Sequence, residues 1–269
     1  MEAGPLRRVG VRGCAAACAG GPCKNDRLLP QVKLPRASAA RWRDAWKSNT
    51  YRRGDVLFYE GNEPMGLHFL CSGRVKLTRT DCAGRQMIVR IVVDAGLLGE
   101  RALIVGNAYE ATATVADDAR VCFIPAARFH AMWDADPAIS RALAVVLAVR
   151  LGEAQDLCAE IGLLTIRERL ARLIARASEA GGAGSLADLG ATRLELAERL
   201  ATSPEVVCRA MADLEASGLI ASKGRFTQVL DARRLRAAAR LPAGPIDFYQ
   251  DARRLSSSRP RLPVMHNTS

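Results

Sequence analysis

The sequence predicts an α+β chain in which a roll of short strands is followed by a long helix, two short helices and a hairpin. Three observations support this fold class. Residues 51–125 contain short runs of β-branched and aromatic residues that are separated by turn residues. From Pro137 onwards the apolar residues recur in steps of three and four, which is the spacing of a helix. Thr192 and Ser203 each open a short amphipathic segment, and Gly224 then permits a tight hairpin turn.

Length and charge indicate more than one domain. A chain of 269 residues is long for a single core. Residues 1–47 carry ten Lys/Arg against three acids, residues 48–165 carry twelve against fourteen, and residues 166–269 carry seventeen against eleven. Both ends are therefore basic, which suits binding to nucleic-acid phosphates. We predict an arm (1–35), a β-roll (36–135), a long helix (136–164), a domain of short helices with a hairpin (165–236) and a poorly ordered basic tail (237–269).

The composition also bears on the compartment. The chain contains no run of about 18 apolar residues, so the sequence predicts no membrane span. The first 13 residues include arginines but no apolar core of the kind found in signal peptides, and we therefore expect a cytoplasmic protein. The eight cysteines should be reduced there, so a group of them indicates metal or redox chemistry rather than a disulfide framework.

The long helix follows the pattern of a coiled-coil seam. The predicted seam positions are Leu143, Leu147, Arg150, Ala154, Leu157, Ile161 and Leu164. Their alternating steps of four and three residues mark a narrow stripe rather than the wider face of a helix that covers a core. We therefore expect a symmetric homodimer that uses this stripe as its interface. Packing of the helix on its own β-roll is the alternative.

Two short helices joined by a tight turn are predicted in the last third of the chain. Thr192 is the N-cap of the first helix and Ser203 is the N-cap of the second, in which Pro204 takes the first position. Two strands then flank Lys223-Gly224-Arg225 and form a hairpin, which we interpret as a wing. The pattern is that of a winged helix-turn-helix, a DNA-binding motif.

The second short helix presents a candidate base-reading face. Glu205, Cys208 and Arg209 lie three and four residues apart, so they share one side of the helix. An exposed arginine there can donate two hydrogen bonds to guanine, and a glutamate can accept one from the amino group of cytosine. A solvated Glu–Arg pair is the alternative. The complete set of predicted DNA contacts is Thr192, Arg193, Ser203, Glu205, Cys208, Arg209 and Lys223.

Several different short motifs are spread along the chain. They are Arg53-Gly54-Asp55, Ser72-Gly73, Leu98-Gly99-Glu100, Arg167-Glu168-Arg169-Leu170, Thr192-Arg193, Ser203-x-Glu205-x-x-x-Arg209 and Leu219-Ile220. Together they resemble the CRP/FNR superfamily of transcription regulators over most of residues 14–235. The resemblance implies a cyclic-nucleotide-binding-like β-roll, a dimerisation helix and a winged helix-turn-helix. It is nearer to the FNR branch, whose reading residues are Glu, Ser and Arg, because Pro204 stands where the CRP branch has an arginine. Cys208 stands at the position of the serine.

The cysteines suggest the sensor chemistry. Cys14, Cys18 and Cys23 lie in a Gly- and Ala-rich arm that can wrap round a metal centre. The resemblance implies that they bind a 4Fe-4S cluster together with Cys122, whose segment is similar to the one that supplies the fourth ligand in FNR-type oxygen sensors. The arm spacing is C-x3-C-x4-C, whereas C-x2-C-x5-C is usual. Three unrelated thiols and a core cysteine are the alternative. The cysteines interpreted as structural are Cys71, Cys82, Cys158 and Cys208.

The resemblance implies a mechanism and its partners. An intact cluster would order the arm against the dimer helix, so that a dimer forms and reads double-stranded DNA at a palindrome of TTGAT-like half-sites. RNA polymerase is a further expected partner, through the turn at residues 81–85. A cAMP-binding roll would have Arg-Ser in the region of Tyr109-Glu110-Ala111-Thr112, and an acid there repels a phosphate, so we do not expect cAMP sensing.

Two further functions remain as alternatives. One is a regulator of the same family that senses a haem-bound gas or another small molecule, with His68 as the only strand histidine to consider as a haem ligand. An iron-sulfur electron carrier or enzyme is the other, although the sequence shows no nucleotide-binding glycine loop and no paired acid and base.

Overall fold

A computed structural model describes residues 12–13, 27–29, 32–181, 186–188, 192–223 and 226–240. Three predicted cluster ligands, Cys14, Cys18 and Cys23, therefore lie outside the described residues, as does most of the predicted tail. In the parts that are described, the order of elements is the predicted one, with the roll first, the long helix in the middle and the helix-turn-helix last.

The β-roll is built on one antiparallel sheet of seven strands. Its strands are β1 (Arg12–Gly13), β4 (Lys47–Tyr51), β5 (Val56–Phe58), β6 (Gly66–Thr80), β7 (Gln86–Val93), β8 (Gly96–Leu98) and β9 (Thr112–Pro125). A separate small hairpin precedes them, made of β2 (Arg27–Leu29) and β3 (Val32–Lys33). Along the path β1-β4-β9-β6-β7 each strand is hydrogen-bonded to the next, so that β9 lies at the centre of the sheet.

Strands β6 and β9 are longer than the sequence predicts. The sequence predicts a break at Ser72-Gly73, but β6 passes through it with a shift of register against β9. Gly73 has a φ of +99°, which only glycine adopts readily, and the extra twist of such a bulge bends the strand without ending it. The turn residues within β6 and β9 therefore mark bends in two long strands. The sequence pattern alone would divide each of these strands into two short ones.

Four helices cover the roll. They are α1 (Arg36–Asp44), α2 (Glu100–Val105), α3 (Ala126–Ala135) and the long α4 (Pro137–Leu163). Helix α4 begins where predicted, because the Asp136 side chain accepts a hydrogen bond from the Ala138 backbone and Pro137 occupies the first turn. Its first three turns bury Ile139, Leu143 and Val146 in the same core as the tryptophans of the roll.

The C-terminal domain has its own core. Its elements are α5 (Ile166–Gly181), β10 (Leu186–Asp188), α6 (Arg193–Leu200), α7 (Pro204–Ala216), β11 (Ile220–Lys223), β12 (Phe226–Val229) and α8 (Ala232–Ala238). The domain boundary predicted at residue 236 is too early, because Ala239 is fully buried in this core. Among the helices in the described part of the chain, none combines the length and apolar character that a membrane span requires.

Candidate functional sites

Helix α7 exposes the predicted base-reading face. Glu205, Cys208 and Arg209 are all exposed on this helix. The opposite side of α7 is buried against α5 and α6, and its buried side chains are Val207, Ala210, Met211 and Leu214. The apolar residues thus fix the helix to its domain while the three candidate reading residues face solvent, where a duplex can approach them.

The turn between α6 and α7 has a left-handed residue at its centre. Thr192 accepts a hydrogen bond from the Glu195 backbone, and the Glu195 carboxylate accepts one from the Thr192 backbone, which makes a capping box at the start of α6. At the end of α6, Ala201 takes a φ of +48° and turns the chain towards α7. Arg193, in the first turn, is half-buried. The first predicted N-cap is therefore confirmed by its hydrogen bonds.

Ser203 plays a different part from the one predicted. It occupies the N-cap position of α7, but its side chain makes no capping hydrogen bond. Instead its hydroxyl is hydrogen-bonded to the Glu205 carboxylate, which together with backbone hydrogen bonding and Arg209 lowers the pKa of Glu205. A serine hydroxyl at this position can accept a hydrogen bond from a backbone N–H of the helix or donate one to a carboxylate. Here it is bonded to the carboxylate, because a charged acceptor makes the stronger hydrogen bond. Glu205 is therefore held in the ionised form that accepts hydrogen bonds from bases.

The wing is present as predicted. Strands β10, β12 and β11 form a three-stranded sheet, in which Lys223 pairs with Phe226 across the hairpin. Residues 224–225 and the side chain of Lys223 lie outside the described part.

Cys122, the predicted fourth cluster ligand, lies at the centre of the sheet on β9. Its side chain is fully buried, and its Sγ lies 3.1 Å from the Sγ of Cys71 on β6. Within the described ranges, no group of three or more His, Cys, Asp or Glu side chains is arranged to hold a metal ion.

The start of the cysteine-bearing arm lies close to Cys122. Arg12 of β1 pairs with Ser48 of β4, and Ser48 pairs in turn with Cys122 of β9. Since neighbouring strands are about 4.8 Å apart, the backbone of Arg12 lies roughly 10 Å from that of Cys122. The last residue of β1, Gly13, immediately precedes Cys14. The sheet thus fixes the chain at the point where the three arm cysteines begin.

Ion pairs of the chain lie in the two segments where the resemblance would place the contacts of a cyclic nucleotide. Glu100 is 4% exposed and lies 3.3 Å from Arg90 and 4.0 Å from Arg150. Burial lowers the pKa of Arg90, while Glu100 opposes that effect. Glu110, in the segment where the resemblance would require an arginine, pairs at 3.3 Å with Arg101. Sequence reasoning missed the role of Arg90, because a cation on one strand facing an acid ten residues later leaves no periodic signal.

His68, considered from the sequence as a haem ligand, is a core residue. Its ring lies 5.4 Å from that of Phe58 and 4.9 Å from that of Phe123. Burial lowers its pKa to about 4, so it is neutral at physiological pH and packs as an aromatic side chain.

The seam predicted on α4 is partly wrong. Leu143 is fully buried in the core of the roll, Arg150 pairs with Glu153 and faces Glu100, and Leu157 lines a cleft against α5 and α6. These three side chains are turned towards their own chain because α4 covers both the roll and the next domain. Leu164 is the C-cap residue of α4 and is half-buried.

An outward stripe on α4 takes their place. Its positions again follow steps of three and four, and all are exposed or half-buried: Ala144, Leu147, Leu151, Ala154, Cys158 and Ile161. Leu151 is 60% exposed and Ile161 is 41% exposed. Three of the predicted seam residues, Leu147, Ala154 and Ile161, belong to this stripe. We call it the α4 stripe.

Both the β-roll and the C-terminal domain match families of known proteins. Residues 48–136 match the family described as cyclic nucleotide-binding domain, and residues 168–238 match the Crp-like helix-turn-helix domain. The chain is 30% identical over 173 residues to the cyclic AMP receptor protein of Thermus thermophilus, covering 63% of this chain and 77% of that protein. It is 27% identical over 197 residues to the transcriptional activator protein FnrL of Cereibacter sphaeroides, covering 69% and 77%.

A solved structure agrees with these matches. A CRP-family transcriptional regulator from Thermus thermophilus superposes with a TM-score of 0.60 at 26% identity, covering 73% of this chain and 100% of that one. The related proteins are transcription regulators, not enzymes.

Proposed function

Since this chain belongs to the CRP/FNR superfamily of transcription regulators, we propose that a 4Fe-4S cluster held by Cys14, Cys18, Cys23 and Cys122 controls its binding to DNA. Oxygen is the proposed signal. The observation that carries the proposal is the pairing of β1 with β4 and of β4 with β9, which places the residues just before Cys14 about 10 Å from Cys122.

Cys122, the one proposed ligand in the described part of the chain, fits such a cluster in its chemistry, and the sequence keeps the other three within reach of it. Thiolates are the usual ligands of iron-sulfur clusters, and Cys122 offers one on a rigid central strand. The arm cysteines follow Gly13 by one, five and ten residues, and each residue can advance the chain by up to about 3.6 Å. All three therefore lie within reach of a site beside Cys122. When bound, the cluster would supply iron–thiolate bonds that oxygen can break.

The arm that carries the three cysteines also contacts the long helix α4. After the three cysteines the chain enters β2 and β3, and both strands lie against α4. Ligands on the arm and on β9 would therefore fix the segment that runs between the sheet and α4. We propose that this order favours the α4 geometry in which two chains associate.

CRP/FNR regulators typically act as dimers, and we propose that this chain does so too. The proposed interface is the α4 stripe. Its exposed Leu151 and Ile161 supply apolar area, whereas Ala144 and Ala154 allow two helices to approach closely. Two copies of α7 would then enter successive major grooves of a palindrome with TTGAT-like half-sites. The turn at residues 81–85, in which Arg85 pairs with Asp81 at 2.7 Å, is the proposed contact for RNA polymerase.

Anaerobic purification of the full chain tests the proposal. We expect about four irons and four sulfides per chain, and binding to a TTGAT-N4-ATCAA duplex that weakens as air removes the iron. A Cys18→Ser variant is the control, because it should neither hold the full iron content nor respond to air. Full-affinity DNA binding by iron-free protein would rule out control by a cluster.

Sensing of a cyclic nucleotide is the second candidate, because residues 48–136 match the cyclic nucleotide-binding domain. The charges of the roll argue against it, since Glu100 is already paired with Arg90 and Glu110 places an acid near the phosphate position. We expect cAMP to leave the melting temperature unchanged. A ligand at 100 times its Kd would stabilise the fold by about 2.7 kcal/mol, so an upward shift of several degrees would favour this candidate instead.

A further inference from the structure

A cleft lies between the β-roll and the DNA-binding domain. Its volume is about 510 Å³, and its walls are β7, the C-terminal half of α4, α5 and α6. Pockets that hold small molecules in proteins span about 300–1,000 Å³. Helix α6 also packs against β7, so the two domains meet at this cleft. A molecule bound there would contact the roll and the helix-turn-helix at the same time.

The apolar part of the cleft is aliphatic. It is formed chiefly by Ile88, Ile91, Leu157, Leu173 and Leu200. Among the described residues that line the cleft, none is aromatic and none carries a hydroxyl or an amide. A nucleobase would therefore find no ring on which to stack. An aliphatic chain, in contrast, would bury its surface against these side chains.

One carboxylate faces four arginines in this cleft. That carboxylate, Glu160, lies 2.7 Å from Arg176 and 3.1 Å from Arg172, so two guanidinium groups already share it. Arg90 is paired with Glu100, which lies outside the lining. Two positive charges of the lining therefore remain without an acid at ion-pair distance among the described residues.

These two charges belong to Arg169 of α5 and Arg199 of α6. Arg169 is 9% exposed, and its Nε has no hydrogen-bond partner within the part of the chain that the structure describes. Burial lowers the pKa of Arg169 and that of Arg199, and the neighbouring Arg74 lowers the pKa of Arg199 further. Since guanidinium groups stay protonated in proteins, both side chains keep a positive charge that an anion in the cleft would stabilise.

We propose that this cleft binds an aliphatic dicarboxylate, which holds the β-roll and the helix-turn-helix in their present arrangement. One acid group would accept hydrogen bonds from Arg169 and the other from Arg199, while the chain between them lies on the aliphatic side chains. The inference goes beyond the proposed control by a cluster and does not depend on it, because no cysteine lines the cleft among the described residues.

Calorimetric titration of the full chain tests this site. Sebacate, an aliphatic dicarboxylate, is compared with decanoate, which lacks one of the two charges, and with inorganic phosphate, which lacks the chain. We expect sebacate to bind at least about tenfold more tightly than either. Arg169→Met and Arg199→Met keep an apolar stem without the charge, and each should weaken sebacate by roughly tenfold, because a hydrogen bond to a charged group is lost. Arg167→Met is the control, since Arg167 of α5 donates a hydrogen bond to Ser217 and does not line the cleft.

Hydrogen exchange with and without sebacate locates the ligand. Protection should appear in β7, α5 and α6 and be absent from β4. The site is overturned if the wild type does not bind sebacate at millimolar concentration, or if the Arg169→Met/Arg199→Met double variant binds it as tightly as the wild type. Equal affinity for decanoate rules out the second charge, and equal affinity for phosphate rules out the aliphatic chain. Circular dichroism checks each fold, and the half-buried Arg199 decides the outcome if Arg169→Met does not fold.

Discussion

Lys76 of the β-roll lies 3.6 Å from a carboxylate oxygen of Glu198 on α6, the first helix of the helix-turn-helix. Glu195, one turn earlier on the same helix, lies 3.9 Å from the same ammonium. Because Glu198 is only 8% exposed, Lys76 compensates a carboxylate that is largely removed from water. The β-roll and the DNA-binding domain are thus joined by a contact that includes this ion pair.

Replacing Lys76 with Met should loosen this contact. The change keeps most of the apolar stem but leaves Glu198 buried without its cation, which costs roughly 1–3 kcal/mol. We expect faster hydrogen exchange in residues 193–200 while the exchange of β9 is unchanged. Lys47→Met, which removes an exposed lysine from β4, is the matched control. Equal exchange of α6 in both variants would show that Lys76 does not hold the domains together.

A charge placed in the α4 stripe should prevent dimer formation. Leu151 is 60% exposed and lies at the middle of the stripe, so Leu151→Glu would bring two carboxylates together across a symmetric interface. We expect a folded monomer by sedimentation, with weak binding to a palindrome. Leu163→Glu is the control, because Leu163 is 76% exposed but lies off the stripe. The interface is misplaced if Leu151→Glu remains a dimer or if both variants dissociate.

The seam predicted on α4 shows what a sequence pattern can establish about a helix and what it cannot. The steps of three and four residues on α4 predict a helix with a narrow apolar stripe, and the helix is present. They cannot tell which of two such stripes faces outward, since Leu143 and Leu151 both fit the spacing. That choice depends on α4 being covered by the roll at one end and by α5 and α6 at the other, which only the packed structure reveals.

Sequence patterns are more informative about interactions between residues that are close together in the chain, such as helix caps. The hydrogen bond of Thr192 and the position of Pro204 follow from residue type, and both are found. The contact of Cys71 with Cys122 joins residues 51 positions apart. It depends on the register of β6 against β9, which includes shifts that no sequence pattern announces.

Acid should destabilise the roll through His68. Burial lowers the pKa of His68 to about 4 in the folded chain, whereas an unfolded histidine titrates near 6.5. Between these values the unfolded chain binds a proton that the folded chain does not. The stabilisation is therefore fully present above pH 6.5 and is lost as the pH falls to 4, by about 3 kcal/mol.

Unfolding in urea across this pH range measures the effect. His68→Gln cannot titrate, so its free energy of unfolding should fall less steeply between pH 6.5 and 4 than that of the wild type. His130→Gln is the control, because His130 is exposed. A wild-type slope that persists in His68→Gln assigns the acid sensitivity to other groups.

Arg209 and Lys223 should affect DNA binding in different ways. We assign the exposed Arg209 of α7 to a guanine edge and Lys223, at the end of β11 beside the wing turn, to a phosphate. Loss of a two-bond guanine contact costs about 1–3 kcal/mol on the correct site and little on a mismatched one, so Arg209→Ala should reduce discrimination. Loss of a phosphate contact weakens all sequences alike and lowers the salt slope by about one unit, because one fewer counterion is released.

A salt titration on two duplexes separates these contacts. Wild type, Arg209→Ala and Lys223→Ala are titrated on a TTGAT palindrome and on the same duplex with its guanines replaced. Since Arg209 is exposed and Ala210 beside it carries the packing of α7, Arg209→Ala should leave the fold intact, and any change in affinity then reports on the interface. If Arg209→Ala lowers affinity equally on both duplexes, Arg209 binds the backbone and α7 does not read sequence through it.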